Sequence, residues 1–196
     1  MDLYFRYFPI ILSLLIGAIV YILANAWLKS KMAANLAVFF IYFGGSFGWI
    51  LSYFKNKTLG GESLFWAQQG ISTLINPPFA ISLLIFLTGL YLFHRLMGQK
   101  DQPMVLVITL TILWGSLIEF KAYAGLLVLG SLSVVTIFEL LKRNFRFLKI
   151  TVLIGLLSTF VFLPNNFGSS SLLVFSPFWL VHSMVDSPDR LGWFRQ

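Results

Sequence analysis

Between Pro103 and Leu141 the chain reads PMVLVITLTILWGSLIEFKAYAGLLVLGSLSVVTIFELL, two apolar runs that meet at Leu117-Ile118-Glu119-Phe120-Lys121-Ala122-Tyr123. One membrane helix cannot take up this stretch, because about 20 residues at 1.5 Å rise already cross a hydrocarbon core. Two helices joined by a tight turn can. That reading places Glu119 and Lys121 at a reversal close to one membrane face. A charge at bilayer depth is costly unless it is paired or faces a wet cavity, so it marks function more often than a surface charge does.

Composition sets the class. Hydrophobic residues make up 58% of the 196 residues and charged residues 11%, with 21 Phe and six Trp, and the mean hydropathy is +0.86. A soluble domain carries roughly 25% charge and needs it to cover its surface. The expectation is an all-α, polytopic integral membrane helical bundle of about six or seven transmembrane helices, forming a single domain over 1–196. The first apolar run is too long for the core of a signal peptide, and no small-residue cleavage pattern follows it. The chain has no cysteine and two histidines, His94 and His182. Disulfides, thiolate chemistry and a histidine-rich metal centre are thereby excluded. No metal and no cofactor are expected. The net charge of +7 sits in short connecting segments, where membrane topology explains it better than nucleic acid does.

The expected spans are about 7–28, 33–53, 77–97, 104–119, 122–140 and 147–163, with a short or re-entrant stretch at 172–184 interrupted by Pro177. Pro9 falls in the first turn of the first span, where its missing N–H matters little. Gly44-Gly45-Ser46 and Gly48 in the second span suit close helix packing or, alternatively, a locally broken helix lining a cavity. The segment 55–78 is the longest that is not plainly apolar. Its middle, 63–75, suits a short helix lying at the interface, with Phe65 and Trp66 in lipid. Asn76-Pro77-Pro78 suits a capped start of the third span.

Alternating these spans sorts the cations. Lys29, Lys31, Arg95, Lys100, Lys142, Arg143, Arg146 and Lys149 fall on one side, and Arg6, Lys55, Lys57 and Lys121 on the other. The positive-inside bias makes the richer side cytoplasmic. Fusing spans four and five would carry the 142–149 cluster outside, which is the main argument for a break between them. Arg95, Lys142, Arg143, Arg146 and Lys149 read as cytoplasmic anchors facing anionic headgroups. Glu139 is expected to pair with Lys142 or Arg143.

On the outer face Gln68, Gln69, Asn76, Glu119, Lys121, Tyr123, Asn165 and Asn166 can converge. Lys121 is a point charge suited to a phosphate or pyrophosphate. Glu119 either pairs with Lys121, which requires a turn, or holds Tyr123 four residues on, which requires an unbroken helix. A structural ion pair snorkelling outward is the plainer use of the same residues. Asn165-Asn166 suits a turn, and His182 a packed helix residue. No Gly-rich phosphate loop, HExxH or GxSxG is present, so no catalytic residue is assigned.

Ile41-Tyr42-Phe43-Gly44-Gly45-Ser46-Phe47-Gly48-Trp49, Asn76-Pro77-Pro78-Phe79 opening a span, and Ile118 to Gly125 resemble the middle part of polytopic bacterial and archaeal membrane proteins related to GT-C-type glycosyltransferases. Phe175-Ser176-Pro177-Phe178-Trp179 through Asp189-Arg190-Leu191 fit the same pattern, so the resemblance covers about 5–193. It implies a helical bundle in a prokaryotic plasma membrane, with an extracytoplasmic cavity for a polyprenyl-phosphate-linked sugar. The first outer loop of such enzymes carries a catalytic acid that has no counterpart here. The chain is therefore expected to be an internal fragment or reduced relative, inactive alone, with Lys121 as a lipid-phosphate contact and Asn76 and Glu119 as cavity contacts. Two other readings stand beside it: a small transporter or channel subunit, which needs a wet path, and a non-catalytic assembly subunit packed through small-residue faces.

Overall fold

A computed structural model describes residues 2–44, 53–54, 57, 69–99 and 101–166. Among them are seven helices and no strand: α1 (Asp2–Leu28), α2 (Lys31–Phe43), α3 (Gln69–Ile75), α4 (Pro77–Met97), α5 (Met104–Phe120), α6 (Ala122–Leu141) and α7 (Arg146–Asn166). Four helical stretches are long and apolar enough to cross a membrane: Tyr7–Leu28, Pro77–Met97, Ala122–Leu141 and Arg146–Pro164. α2 and α5 are apolar but shorter. The chain clusters into two compact units, Met1–Leu163 and Pro164–Gln196. The second lies outside the described residues apart from the end of α7, and with it the 172–184 stretch and His182.

Local chemistry explains the boundaries. The Asn76 side chain accepts from Phe79 N at 3.2 Å, and prolines fill the first two positions of α4. There a missing N–H is harmless and the fixed φ already suits a helix. His94 and Arg95 occupy the last turn of α4, where cations oppose the helix dipole. Ser30 caps α2 by accepting from Ala33 N at 3.3 Å. α1 starts at Asp2 rather than near Tyr7, so Pro9 stands inside the helix and removes one backbone bond.

Two connections differ from the expected spans or refine them. The second apolar run does not continue as one helix to Tyr53. α2 ends at Phe43, and Gly44 is extended with φ −66° and ψ 127°. A Cβ at Gly44 would run into the carbonyl oxygen of Phe40, so the sharp stop depends on glycine. Gly45, Ser46 and Gly48 lie outside the described residues. Between α5 and α6, by contrast, the expected break is present. Lys121 alone is extended there, φ −152° and ψ 106°, with its N–H bonded to the Leu117 carbonyl and its own carbonyl receiving Ala124 N and Gly125 N.

Packing fixes which helix ends lie together. Trp27 meets His94 edge-on with ring centroids 6.0 Å apart, so α1 and α4 finish side by side. Arg146 Nη2 donates to the carbonyls of Leu96 and Gln99, which brings the start of α7 to the same end. The α1–α2 and α6–α7 turns follow by connectivity. This basic end carries Lys29, Lys31, Arg95, Lys142, Arg143, Arg146 and Lys149; the α5–α6 bend lies at the other.

One core joins α4, α5, α6 and α7 through Leu96, Leu110, Trp114, Leu117, Val128, Leu132, Ile150 and Ile154. A second joins α1 to α4 through Leu12, Ile16, Val20 and Ala80, with Val38 and Ile41 of α2 packed against it. Hydrogen bonds between helices supplement these contacts, as helices in lipid require where polar groups are buried. Thr136 and Thr151 hydroxyls are 2.7 Å apart, and Ser158 Oγ donates to the Gly115 carbonyl at 3.1 Å. Large apolar side chains remain exposed around the bundle, among them Leu14, Phe40, Val105, Leu156 and Phe160, as a lipid-facing surface demands.

Candidate functional site

The strongest candidate is the α5–α6 bend. Two buried flanks hold it: Leu117 and Ile118 before it and Gly125 after it. A Cβ at Gly125 would stand 2.6 Å from Ile118 Cα, so glycine lets the two backbones touch immediately after the reversal. The break therefore costs little in lost packing, and it displays its side chains at the bundle end.

Lys121 is half-buried, and its ammonium lies 5.8 Å from the centroid of the exposed Tyr123 ring. That contact is a cation–π interaction, worth about 0.5–1 kcal/mol at exposed positions. It holds the ammonium near the bend while leaving donors for another group. Glu119 is exposed on the last turn of α5. The extended Lys121 interrupts the helix between Glu119 and Tyr123, so the two are not one turn apart on a continuous helix. α6 begins with no side-chain cap from Lys121. The bend thus presents a positive point charge beside the positive end of a helix dipole.

The other expected residues have separate positions. Asn76 acts as the cap of α4 and also donates its N–H to the Ser72 carbonyl. Gln69 opens α3, Gln68 lies outside the described residues, and Asn165 and Asn166 extend α7 rather than forming a turn. Near the start of the 55–78 segment, Lys57 repeats the lysine–tyrosine arrangement, with its ammonium 5.9 Å from the Tyr53 ring centroid. Phe65 and Trp66 lie outside the described residues.

At the basic end, Arg95, Lys142, Arg143 and Lys149 are exposed. Arg146 is not a headgroup-facing anchor. It is half-buried, and its guanidinium closes the carbonyl end of α4, reaching Leu96 O at 2.5 Å. Glu139 pairs with Lys142 at 3.1 Å and receives Asn144 Nδ2 at 2.7 Å, as its spacing led one to expect for the lysine. Nothing in linear order marks Arg146 apart from its cationic neighbours; only the packed bundle does. Tyr42 enters the sequence reading only within the resemblance at 41–49, which does not mark the bond from its hydroxyl to the Ser13 carbonyl at 2.5 Å.

Comparison of the chain with protein-family models, curated proteins and solved structures finds no match. Among the described residues no cluster of three His, Asp or Glu side chains suits a metal ion.

Proposed function

We propose that this protein is a multi-pass membrane protein related to glycosyltransferases that use lipid-linked sugars, and that it binds the phosphate of a polyprenyl-phosphate carrier at the α5–α6 bend. In this reading six or seven segments cross or enter a prokaryotic plasma membrane. The basic end faces the cytoplasm and the bend faces out. The protein holds the carrier without supplying a catalytic acid.

The observation that carries the reading is the placement of Lys121. A lone lysine occupies a one-residue break between two apolar helices, half-buried and held over Tyr123. Lys has a compact charge that suits phosphate without a bidentate geometry. At the bilayer boundary the effective dielectric lies below that of water, which strengthens the attraction. The lipid tail needs only the exposed apolar sides of α5 and α6, where Ile112, Leu126 and Leu127 are exposed.

Purified protein in nanodiscs, titrated with a short polyprenyl phosphate, tests this. Lys121→Ala is expected to weaken binding about tenfold, equivalent to about 1.4 kcal/mol, while Lys149→Ala leaves it unchanged. Equal binding by Lys121→Ala and the parent protein would remove the proposal.

A further inference from the structure

Charge limits the apolar length of α4–α7. The runs without a charged residue cover 77–94 in α4, 104–118 in α5, 122–138 in α6 and 150–164 in α7, 15 to 18 residues each. At 1.5 Å per residue they rise about 23–27 Å, whereas a typical hydrocarbon core is about 30 Å thick.

Two hydrogen bonds between helices serve as rungs that give the depth independently. Trp114 Nε1 donates to the Phe86 carbonyl at 3.4 Å, and Ser158 Oγ to the Gly115 carbonyl at 3.1 Å. Nine residues of α4 lead from Phe86 to the exposed Arg95, and five of α5 lead from Trp114 to the exposed Glu119. The two charges therefore stand about 21 Å apart along the bundle. Nine residues of α7 from Lys149 to Ser158, and four of α5 from Gly115 to Glu119, give about 20 Å by the other rung.

Arg95 and Lys149 have long stems that recover part of the difference by reaching toward headgroups, whereas the stem of Glu119 is short. α1 is longer, with 22 residues over Tyr7–Leu28. A long helix fits a thin core by tilting, but a short one cannot stretch to fit a thick core. The shorter helices set the depth. Val105, Ile112, Val134 and Leu156, exposed along these runs, make that depth a lipid-facing belt.

We propose that α4–α7 fit a bilayer thinner than the ordinary one, and that the bundle gathers phospholipids with short acyl chains around itself. The inference rests neither on phosphate binding at Lys121 nor on which end faces the cytoplasm.

The full chain is reconstituted in fluid phosphatidylcholine bilayers in which an eighteen-carbon dibrominated lipid, a quencher of tryptophan, competes with monounsaturated lipids of fourteen, sixteen or eighteen carbons. The Trp fluorescence that each competitor restores gives its relative affinity for the belt. Affinity is expected to fall from fourteen to eighteen carbons, by about threefold in all. Affinity that does not fall with chain length overturns the proposal. The triple variant Arg95→Leu, Glu139→Leu, Lys149→Leu lengthens the belt by about one turn at the basic end, and its preference is expected to move toward longer chains. An unmoved preference would show that belt length is not the cause, and the proposal fails. Lys149→Leu alone carries the same comparison, on α7, should the triple variant not insert.

Discussion

Arg146 shows how much a single side chain contributes to this fold. Its guanidinium binds two carbonyls at the end of α4, and its Nε is buried without a partner. Arg146→Met would remove the guanidinium donor from the Gln99 carbonyl and leave the Leu96 carbonyl with backbone N–H only, at an expected cost of about 1–3 kcal/mol. A thermal-unfolding series in detergent should show that loss for Arg146→Met and almost none for the exposed Lys149→Met. Thr136→Val is a milder case. It removes the hydroxyl pair with Thr151, and an interhelical bond of this kind contributes about 0.6 kcal/mol on average. A much larger loss in the same series would mean that Thr136 has a task beyond joining α6 to α7.

Among the elements, the α5–α6 hairpin was the most legible from sequence. An acid and a base interrupting a long apolar run announce a break, and the bend falls at Lys121. The starts of α4 and α7 were equally readable, from Asn76 with its prolines and from the basic cluster. The premature end of α2 was less so. Glycines mark close packing and broken helices alike, and only the clash that a Cβ at Gly44 would meet separates the two. The glycines that set helix spacing were not singled out at all. Trp114 lies against Gly89, and Leu157 against Gly115, with Leu157 Cγ 2.9 Å from where a Cβ would be. Such a role depends on the partner helix, which no local pattern names. Gly125→Leu should force α5 and α6 apart at Ile118, costing about 1–3 kcal/mol by overpacking. Because the same contact positions Lys121, phosphate titration of Gly125→Leu should also show weaker binding; unchanged binding would mean that the bend does not need the tight hairpin.

At the scale of the whole molecule, the sorting of charge follows the packing. Contacts from Trp27 to His94 and from Arg146 to α4 gather at one end seven of the eight cations that alternating spans assigned to one side, Lys100 lying outside the described residues. The bend at Lys121 lies opposite. In cells, impermeant labelling of Lys121→Cys and Arg143→Cys should therefore give opposite results, with only the first reacting from outside. Reaction of both from the same side would overturn the two-ended arrangement. The candidate site was only partly legible for a related reason. Lys121 and Tyr123 are neighbours in sequence and meet, whereas convergence of Asn76 and the glutamines depended on three-dimensional placement, and Asn76 is engaged in starting α4.

Two residues at the basic end take a left-handed backbone: Lys29 with φ 50° and Arg143 with φ 61°. Glycine would relax either corner, because a side chain there is sterically disfavoured. Glycine would also discard a cation that, in the proposed orientation, helps retain this end in the cytoplasm. Evolution toward a tighter fold and evolution toward an unambiguous direction of insertion thus pull on the same two codons in opposite senses. A laboratory selection for heat resistance alone would be drawn toward variants that fold more firmly while losing certainty about which way up they sit.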